Sequence, residues 1–203
     1  MENREINLEN KSGTPRKTLD RRVPMQLKKV LSGIVCVLAV MLVSVNAGSQ
    51  AQIEEHEAKA AFLLKLVNFV EWPAGSGQGT LIIGTVGADE TGDALQRLAN
   101  GKSINGKALV VRRLAPDSDL KSCQVLYIGS SQGKNLASLL ERARDTSVLT
   151  VGETDGFGQR GGIVNLLVTD GRIRFEVNPH AAERAHLQIS SRLLSLATLV
   201  NGG

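Results

Sequence analysis

Apolar and polar positions divide the chain into three stretches. Residues 1–24 are polar, lack an apolar period and carry Arg4, Lys11, Arg16, Lys17, Arg21 and Arg22. Lys28 and Lys29 then precede an apolar run from Val30 to Val45, followed by small and polar residues up to Ala51. Beyond that point, short apolar runs of strand length alternate with segments of helical spacing. Ile53 to Val70 predicts a helix. Its first turns carry Glu54, Glu55 and Glu57, which suit the positive end of a helix dipole, and its second half is apolar nearly all round, so it is buried or covered by a partner. Glu71-Trp72-Pro73 ends it, because the residue before a proline is driven out of helical geometry.

Thr80 to Val86 predicts a strand, and Glu90 to Leu98 predicts a helix with Ala94, Leu95 and Leu98 on one face. Asn105-Gly106 is a turn leading into a strand from Ala108 to Leu114. Cys123 to Ile128 is a third strand, Lys134 to Arg144 a helix and Val148 to Val151 a short strand. Ile163 to Thr169 and Arg172 to Val177 flank Asp170-Gly171, a strong hairpin signal. Pro179 to Arg184 starts a helical turn. Ser190 offers an N-cap for a last helix holding Leu193, Leu194, Leu196, Ala197, Leu199 and Val200. Alternating strands and helices with a late hairpin predict a single α/β layered domain, a mixed β-sheet flanked by helices, preceded by a signal peptide.

The positive start, apolar middle and small-residue end of Lys28 to Ala51 read as a secretory leader. Its apolar run of sixteen residues is short of the roughly 20 that a spanning helix needs. Val45-Asn46-Ala47 and Ser49-Gln50-Ala51 both fit a small-x-small cleavage site. The alternative is an uncleaved anchor, and either reading places the remainder outside the cytoplasm. Met25 stands where a signal peptide would ordinarily begin and is read as the true initiator. Arg21-Arg22 suggests twin-arginine export only weakly, since Val23-Pro24 follows and no cofactor motif lies downstream. Cys36 lies inside the apolar run and is not read as a lipid-attachment site. The expected organisation is therefore a leader over 1–51, cut after Ala47 or Ala51, and one domain over 52–203, about the size of an ordinary domain.

Charge changes the picture. The first 51 residues hold eight Lys/Arg and four Asp/Glu, which accounts for the whole formal charge of +4 and leaves residues 52–203 with sixteen of each. The domain is neutral and lacks a basic cluster with interleaved aromatics, so no nucleic-acid partner is expected. Cys123 is the one cysteine outside the leader. It reads as a buried thiol, with an intermolecular disulfide as the alternative.

Candidate chemistry is sparse. Gly156-Phe157-Gly158-Gln159-Arg160-Gly161 matches a dinucleotide fingerprint, but a strand follows it where a helix is required, so it reads as a glycine-rich connection. His180 and His186 are six apart and share no helix face, and His56 lies far off in sequence. Nothing completes a zinc set, and Asp117-Ser118-Asp119 and Glu153-Thr154-Asp155 read as solvated turns. No constellation supports an enzyme, and no cofactor or metal is expected. Binding surfaces remain. Trp72, beside Glu71, either caps the core or anchors a partner or small ligand. Arg172, Arg174, Glu176 and Asn178 share one face of the last strand, opposite Ile173, Phe175 and Val177. They form a solvated sheet face or face a ligand cleft.

Three segments resemble the YfiR family of exported bacterial proteins. Ala60 to Pro73, with Phe69-Val70-Glu71-Trp72-Pro73 at its end, is similar to that family's opening helix. Cys123 to Ile128 is similar to its cysteine-containing strand. Gly162 to Asn165, Ile173 to Asn178, Ala181-Ala182 and Leu187 to Ala197 are similar to its C-terminal block. The resemblance implies a non-enzymatic periplasmic regulator that binds the periplasmic part of an inner-membrane diguanylate cyclase and holds it inactive, lowering cyclic di-GMP and biofilm formation. The family also implies a disulfide in some members, for which Cys123 has no second cysteine within 52–203. A small-ligand sensor domain feeding a sensor histidine kinase is the competing reading. The partner expected is an inner-membrane signalling protein, with a homodimer as a further option.

Overall fold

The computed structural model describes residues 52, 54–76, 79–87 and 89–202. The leader, the Met25 start, the cleavage sites at Ala47 and Ala51 and the first residue of the expected opening helix, Ile53, lie outside the described residues. The elements in chain order are helix α1 (54–66), strands β1 (Val70–Glu71) and β2 (Thr80–Val86), helix α2 (Glu90–Ala99), strands β3 (Ser103–Ile104), β4 (Lys107–Leu114) and β5 (Val125–Ile128), helix α3 (Leu136–Ala143), strands β6 (Leu149–Gly152), β7 (Val164–Thr169) and β8 (Arg172–Val177), helix α4 (Pro179–Arg184), strand β9 (Gln188–Ile189), helix α5 (Ser191–Leu194) and strand β10 (Thr198–Leu199).

Eight strands form one mixed sheet in the order β10-β8-β7-β6-β5-β2-β4-β3. β4, β2, β5, β6 and β7 run parallel, while β8 is antiparallel to β7 and β3 to β4. The expected α/β domain with a mixed sheet flanked by helices is the observed fold. Its central strands read as continuous apolar runs because both their faces are covered, as parallel sheets require. Side chains alternate between those faces. Val125 and Tyr127 of β5 and Leu149 and Val151 of β6 join the core under α1, α2 and α4. Leu126 and Ile128 join the opposite core, under α3.

Both hairpins follow from their turns. Asn105 and Gly106, and Asp170 and Gly171, hold positive φ at their two central positions, the geometry of type I′ turns that Asn-Gly and Asp-Gly accept. Helix α2 begins where Asp89 Oδ1 accepts the Gly92 amide at 2.8 Å. Glu90 and Asp93 lie in its first turn and Arg97 in its last, each matched to the dipole.

Two elements differ from expectation. The opening helix ends at residue 66 and not at Val70. A 3-10 turn follows over Val67–Phe69, and Val70–Glu71 becomes a strand paired with Gln188–Ile189. Asn68 Nδ2 donates to the Leu64 and Lys65 carbonyls at 3.4 and 3.2 Å, which satisfies the orphan acceptors of the helix end. The last helix is likewise short. Ser190 caps it as expected, accepting the Leu193 amide at 3.3 Å, but it stops at Leu194. Thr198–Leu199 then leaves the helix to pair in parallel with Glu176–Val177.

Candidate functional site

The expected site residues fall on two separate surfaces. Glu71 is exposed and belongs to the small β1–β9 ribbon. Trp72 is half-buried, packs on the core and donates from Nε1 to the Gln124 carbonyl at 3.1 Å. Its core-capping reading is thus observed. Its outer side lines a shallow cleft with Glu71, Leu81, Ile104 and Lys107, none of which belongs to the second group.

That second group lies on β8, near an edge of the main sheet. Arg172 and Arg174 are exposed and Glu176 is half-buried, accepting from Asn165 Nδ2 at 3.1 Å. Asn178 does not belong to a solvated face. It is 0% exposed, caps α4 by accepting the Ala181 amide at 3.0 Å, and donates to the Gly158 and Gly202 carbonyls at 2.8 and 2.9 Å. Its polarity is consumed in tying the C-terminal segment to the loop before β7. On its outer side β8 meets β10 only at Glu176 and Val177, so among the described residues the outer edge of Arg172 to Phe175 pairs with no strand. Leu196 and Leu199, 72% and 56% exposed, stand on the neighbouring segment as the exposed large apolar side chains among the described residues.

A third constellation was not expected from the sequence. In a doubly wound sheet, ligands gather at the carboxyl ends of strands where the order reverses. Here that point lies between β2 and β5: the chain leaves β2 for β4 on one side and returns to β5 on the other. The two strand ends are stitched by Gly129 N to Val86 O at 2.9 Å. Around them converge Asp89, Thr91, Tyr127, Glu153, Lys59 and His56. Lys59, 8% exposed, reaches down from α1 to Glu153 Oε2 at 3.0 Å and to Glu55 Oε1 at 2.7 Å. Glu153 is therefore not a solvated turn residue, since its side chain is only 6% exposed. His56 Nδ1 and Thr91 Oγ1 are 2.8 Å apart, and His56 Nε2 lies 3.2 Å from Glu90.

Two polar atoms in this cluster have no partner. Asp89 Oδ2 and Tyr127 Oη are buried without a hydrogen bond. Burial pushes the Asp89 carboxyl above its ordinary 3.8, offset in part by the Gly92 amide, and the charge of Glu153 adds to the rise. Burial, then the charges of Glu153 and Asp89, push the Tyr127 phenol up as well. Burial opposes the charge of Lys59, but its bonds to Glu55 and Glu153 outweigh that and hold the ammonium above its ordinary 10.5. The cluster can accept hydrogen bonds and hold positive charge. One clue to it was legible: Asp89 and Glu153 each fall just beyond the end of a parallel strand.

The glycine-rich stretch is a connection between β6 and β7, as expected, and it wedges Phe157 into the core at 0% exposure. Among the described residues no group of three or more His, Cys, Asp or Glu is placed to hold a metal ion, and no helix is long and apolar enough to cross a membrane. Cys123 is a buried thiol that donates to the Leu120 carbonyl at 3.2 Å. Burial pushes it up to about 11. It is therefore protonated and shielded at neutral pH, and we expect alkylation by iodoacetamide only at the rate of unfolding. Rapid labelling of the native protein would contradict this placement.

Comparison with solved structures supports the architecture. A conserved domain protein from Vibrio cholerae O1 biovar El Tor is 15% identical, with a TM-score of 0.50 over 71% of this chain. This chain spans 59% of that protein's length, and at such identity the likeness speaks for the fold alone. An ABC domain from Streptococcus pneumonia, in complex with L-Trp, is 8% identical with a TM-score of 0.49 over 61% of this chain and 56% of that one, too weak a likeness to argue from. The family comparison reaches further, because its match covers residues 56–198, from the first turn of α1 to β10. With the helix, central strands and C-terminal block all inside that match, the chain belongs to the YfiR/HmsC-like family, a family of regulatory proteins set in cyclic di-GMP signalling.

Proposed function

We propose that this protein, exported by a leader within residues 1–51, acts in the periplasm through its domain at 52–203, where it binds the periplasmic part of an inner-membrane diguanylate cyclase and holds it inactive. The family match over residues 56–198 carries this reading. The physical requirement is modest. A repressor must bind the inactive cyclase conformation more tightly than the active one, and a signal that frees the cyclase must oppose that difference.

The surface best suited to such a contact is the outer edge of β8 with β10 and the segment that leads into it. An unpaired strand edge is a ready template for an added strand. Arg172 and Arg174 favour an acidic segment on the cyclase, and Leu196 and Leu199 supply exposed apolar area. Such area is uncommon on a surface that touches nothing. Arg174→Glu combined with Leu199→Asp should leave the fold intact, since both side chains are exposed. It should raise cellular cyclic di-GMP and surface attachment to the level of a gene deletion. Wild-type levels of both, with the variant present at normal abundance, would contradict this surface.

The second reading, a ligand sensor feeding a sensor histidine kinase, draws support from the cleft at the carboxyl ends of β2 and β5. Deletion of the gene would then change kinase output and leave cyclic di-GMP untouched.

A further inference from the structure

A cavity of about 220 Å³ lies between α3 and α4, against β6 and the approach to β7. It falls below the roughly 300–1,000 Å³ of drug-sized sites, so it suits a compact occupant. Leu140, Val148, Ile163 and Ala181 line it and are all buried. Such walls offer an enclosed water few of the roughly two to four hydrogen bonds it needs, and they favour hydrocarbon.

One polar group interrupts them. Thr150 lines the cavity at 3% exposure, on the face of the sheet it shares with Leu126, its neighbour in register. Its Oγ1 accepts the Ile163 amide at 2.9 Å. The hydroxyl proton has no acceptor among the described residues, and a buried donor left unmet is costly. An oxygen of a molecule in the cavity would meet it.

Charge at the rim points the same way. Arg144, Arg160 and Arg184 also line the cavity, against Glu141 and Asp145. Arg144 pairs with Glu141 at 3.1 Å. Arg160 donates to the Asp155 and Gly156 carbonyls, which orient its guanidinium without cancelling its charge. Arg184 is half-buried in the last turn of α4 and makes no hydrogen bond or ion pair among the described residues. Asp145 opposes these cations, but it is exposed and solvent screens it.

We propose that this cavity binds a compact organic carboxylate, its hydrocarbon body against Leu140, Val148 and Ile163 and its oxygens accepting from Arg184, Arg160 and the Thr150 hydroxyl. No residue of the β8 edge or of β10 lines it, and its occupancy requires no membrane partner, so its test is separate from that of repression.

The test is an amide NMR titration of the full-length protein with sodium butyrate, sodium hexanoate and sodium benzoate, against sodium phosphate and benzyl alcohol at equal ionic strength. Phosphate carries charge without the apolar body, and the alcohol the body without the charge. Saturable shifts at Thr150, Ile163 and Arg184 are expected with at least one carboxylate and with neither control. Arg184→Gln should weaken that binding by about tenfold, the scale of one charge-assisted hydrogen bond. Asp145→Asn should tighten it by removing the opposing charge, and Asn accepts the positive φ of 53° held there. Ala137→Leu, at an exposed position of α3 beside the cavity, should weaken binding without altering a charge. No saturable response to any of the carboxylates, a response that either control reproduces, shifts that map elsewhere on the domain, or folded variants that bind like wild type would overturn the proposal.

Discussion

Lys59→Met should cost about 3–5 kcal/mol, the usual consequence of removing one partner from a buried ion pair. Methionine keeps the apolar stem of lysine, so the loss isolates the ammonium. The lysine is 8% exposed and the Glu153 side chain 6% exposed, so little water can replace the missing partner. The bond also spans a long interval of sequence, joining α1 to the loop after β6, and its loss should loosen the cover over the sheet. Urea denaturation of Lys59→Met measures the effect. Lys59→Met with Glu153→Gln should recover much of the loss, because the stranded charge is then gone. A single variant within about 0.5 kcal/mol of wild type, the ordinary range for surface changes, would contradict the buried pair. The pH dependence has a definite sign. The folded ammonium titrates above its ordinary 10.5. Its stabilisation is therefore complete below 10.5 and is lost as pH rises through the higher folded value. Lys59→Met should flatten that alkaline loss.

Phe157→Ala should be as damaging, at about 3–5 kcal/mol, the cost of emptying a filled aromatic site in a core. The ring is 0% exposed and closes the core beneath α3 between two glycines. A Cβ on Gly152 would stand 2.3 Å from the ring and one on Gly162 2.1 Å. The glycines around Phe157 thus make room for a ring and not for a phosphate. Gly152→Ala alone should destabilise by overpacking, at about 1–3 kcal/mol. Combined with Phe157→Ala it should cost less than the sum, since the methyl then enters the space the ring has left. Strict additivity in urea denaturation would contradict this packing.

Much of the fold was legible where local pattern and tertiary role agree. β2, β5 and β6 are buried on both faces and so appear as unbroken apolar runs. Asn105-Gly106 and Asp170-Gly171 carry their turn geometry in their own residues. What stayed hidden depends on distant partners. Val70–Glu71 and Thr198–Leu199 extend apolar helical patterns and turn into strands only because Gln188–Ile189 and Glu176–Val177 are waiting for them. Asn178, just past the end of β8, continues the alternation of Arg172 and Arg174, yet it is drawn inward by the carbonyls of Gly158 and Gly202.

The candidate sites divide in the same way. Arg172 and Arg174 could be placed on an outer face from alternation alone. The cluster at the reversal point could not, because Lys59 and Glu153 are 94 residues apart and His56 and Thr91 are 35 apart. No motif joins them. Only the strand order, which brings the ends of β2 and β5 together, makes Asp89, Tyr127 and Glu153 neighbours.

The central claim is that this domain silences a membrane cyclase by direct contact outside the cytoplasm. Its most direct measurement is the rate of cyclic di-GMP synthesis by each membrane diguanylate cyclase of the same cell that has a periplasmic region, reconstituted in vesicles with that region outward and nucleotide enclosed. Adding the purified protein outside should lower the rate of at least one of them in a saturable way, and Arg174→Glu with Leu199→Asp should not. Rates that stay unchanged for every such cyclase at saturating protein would contradict the account.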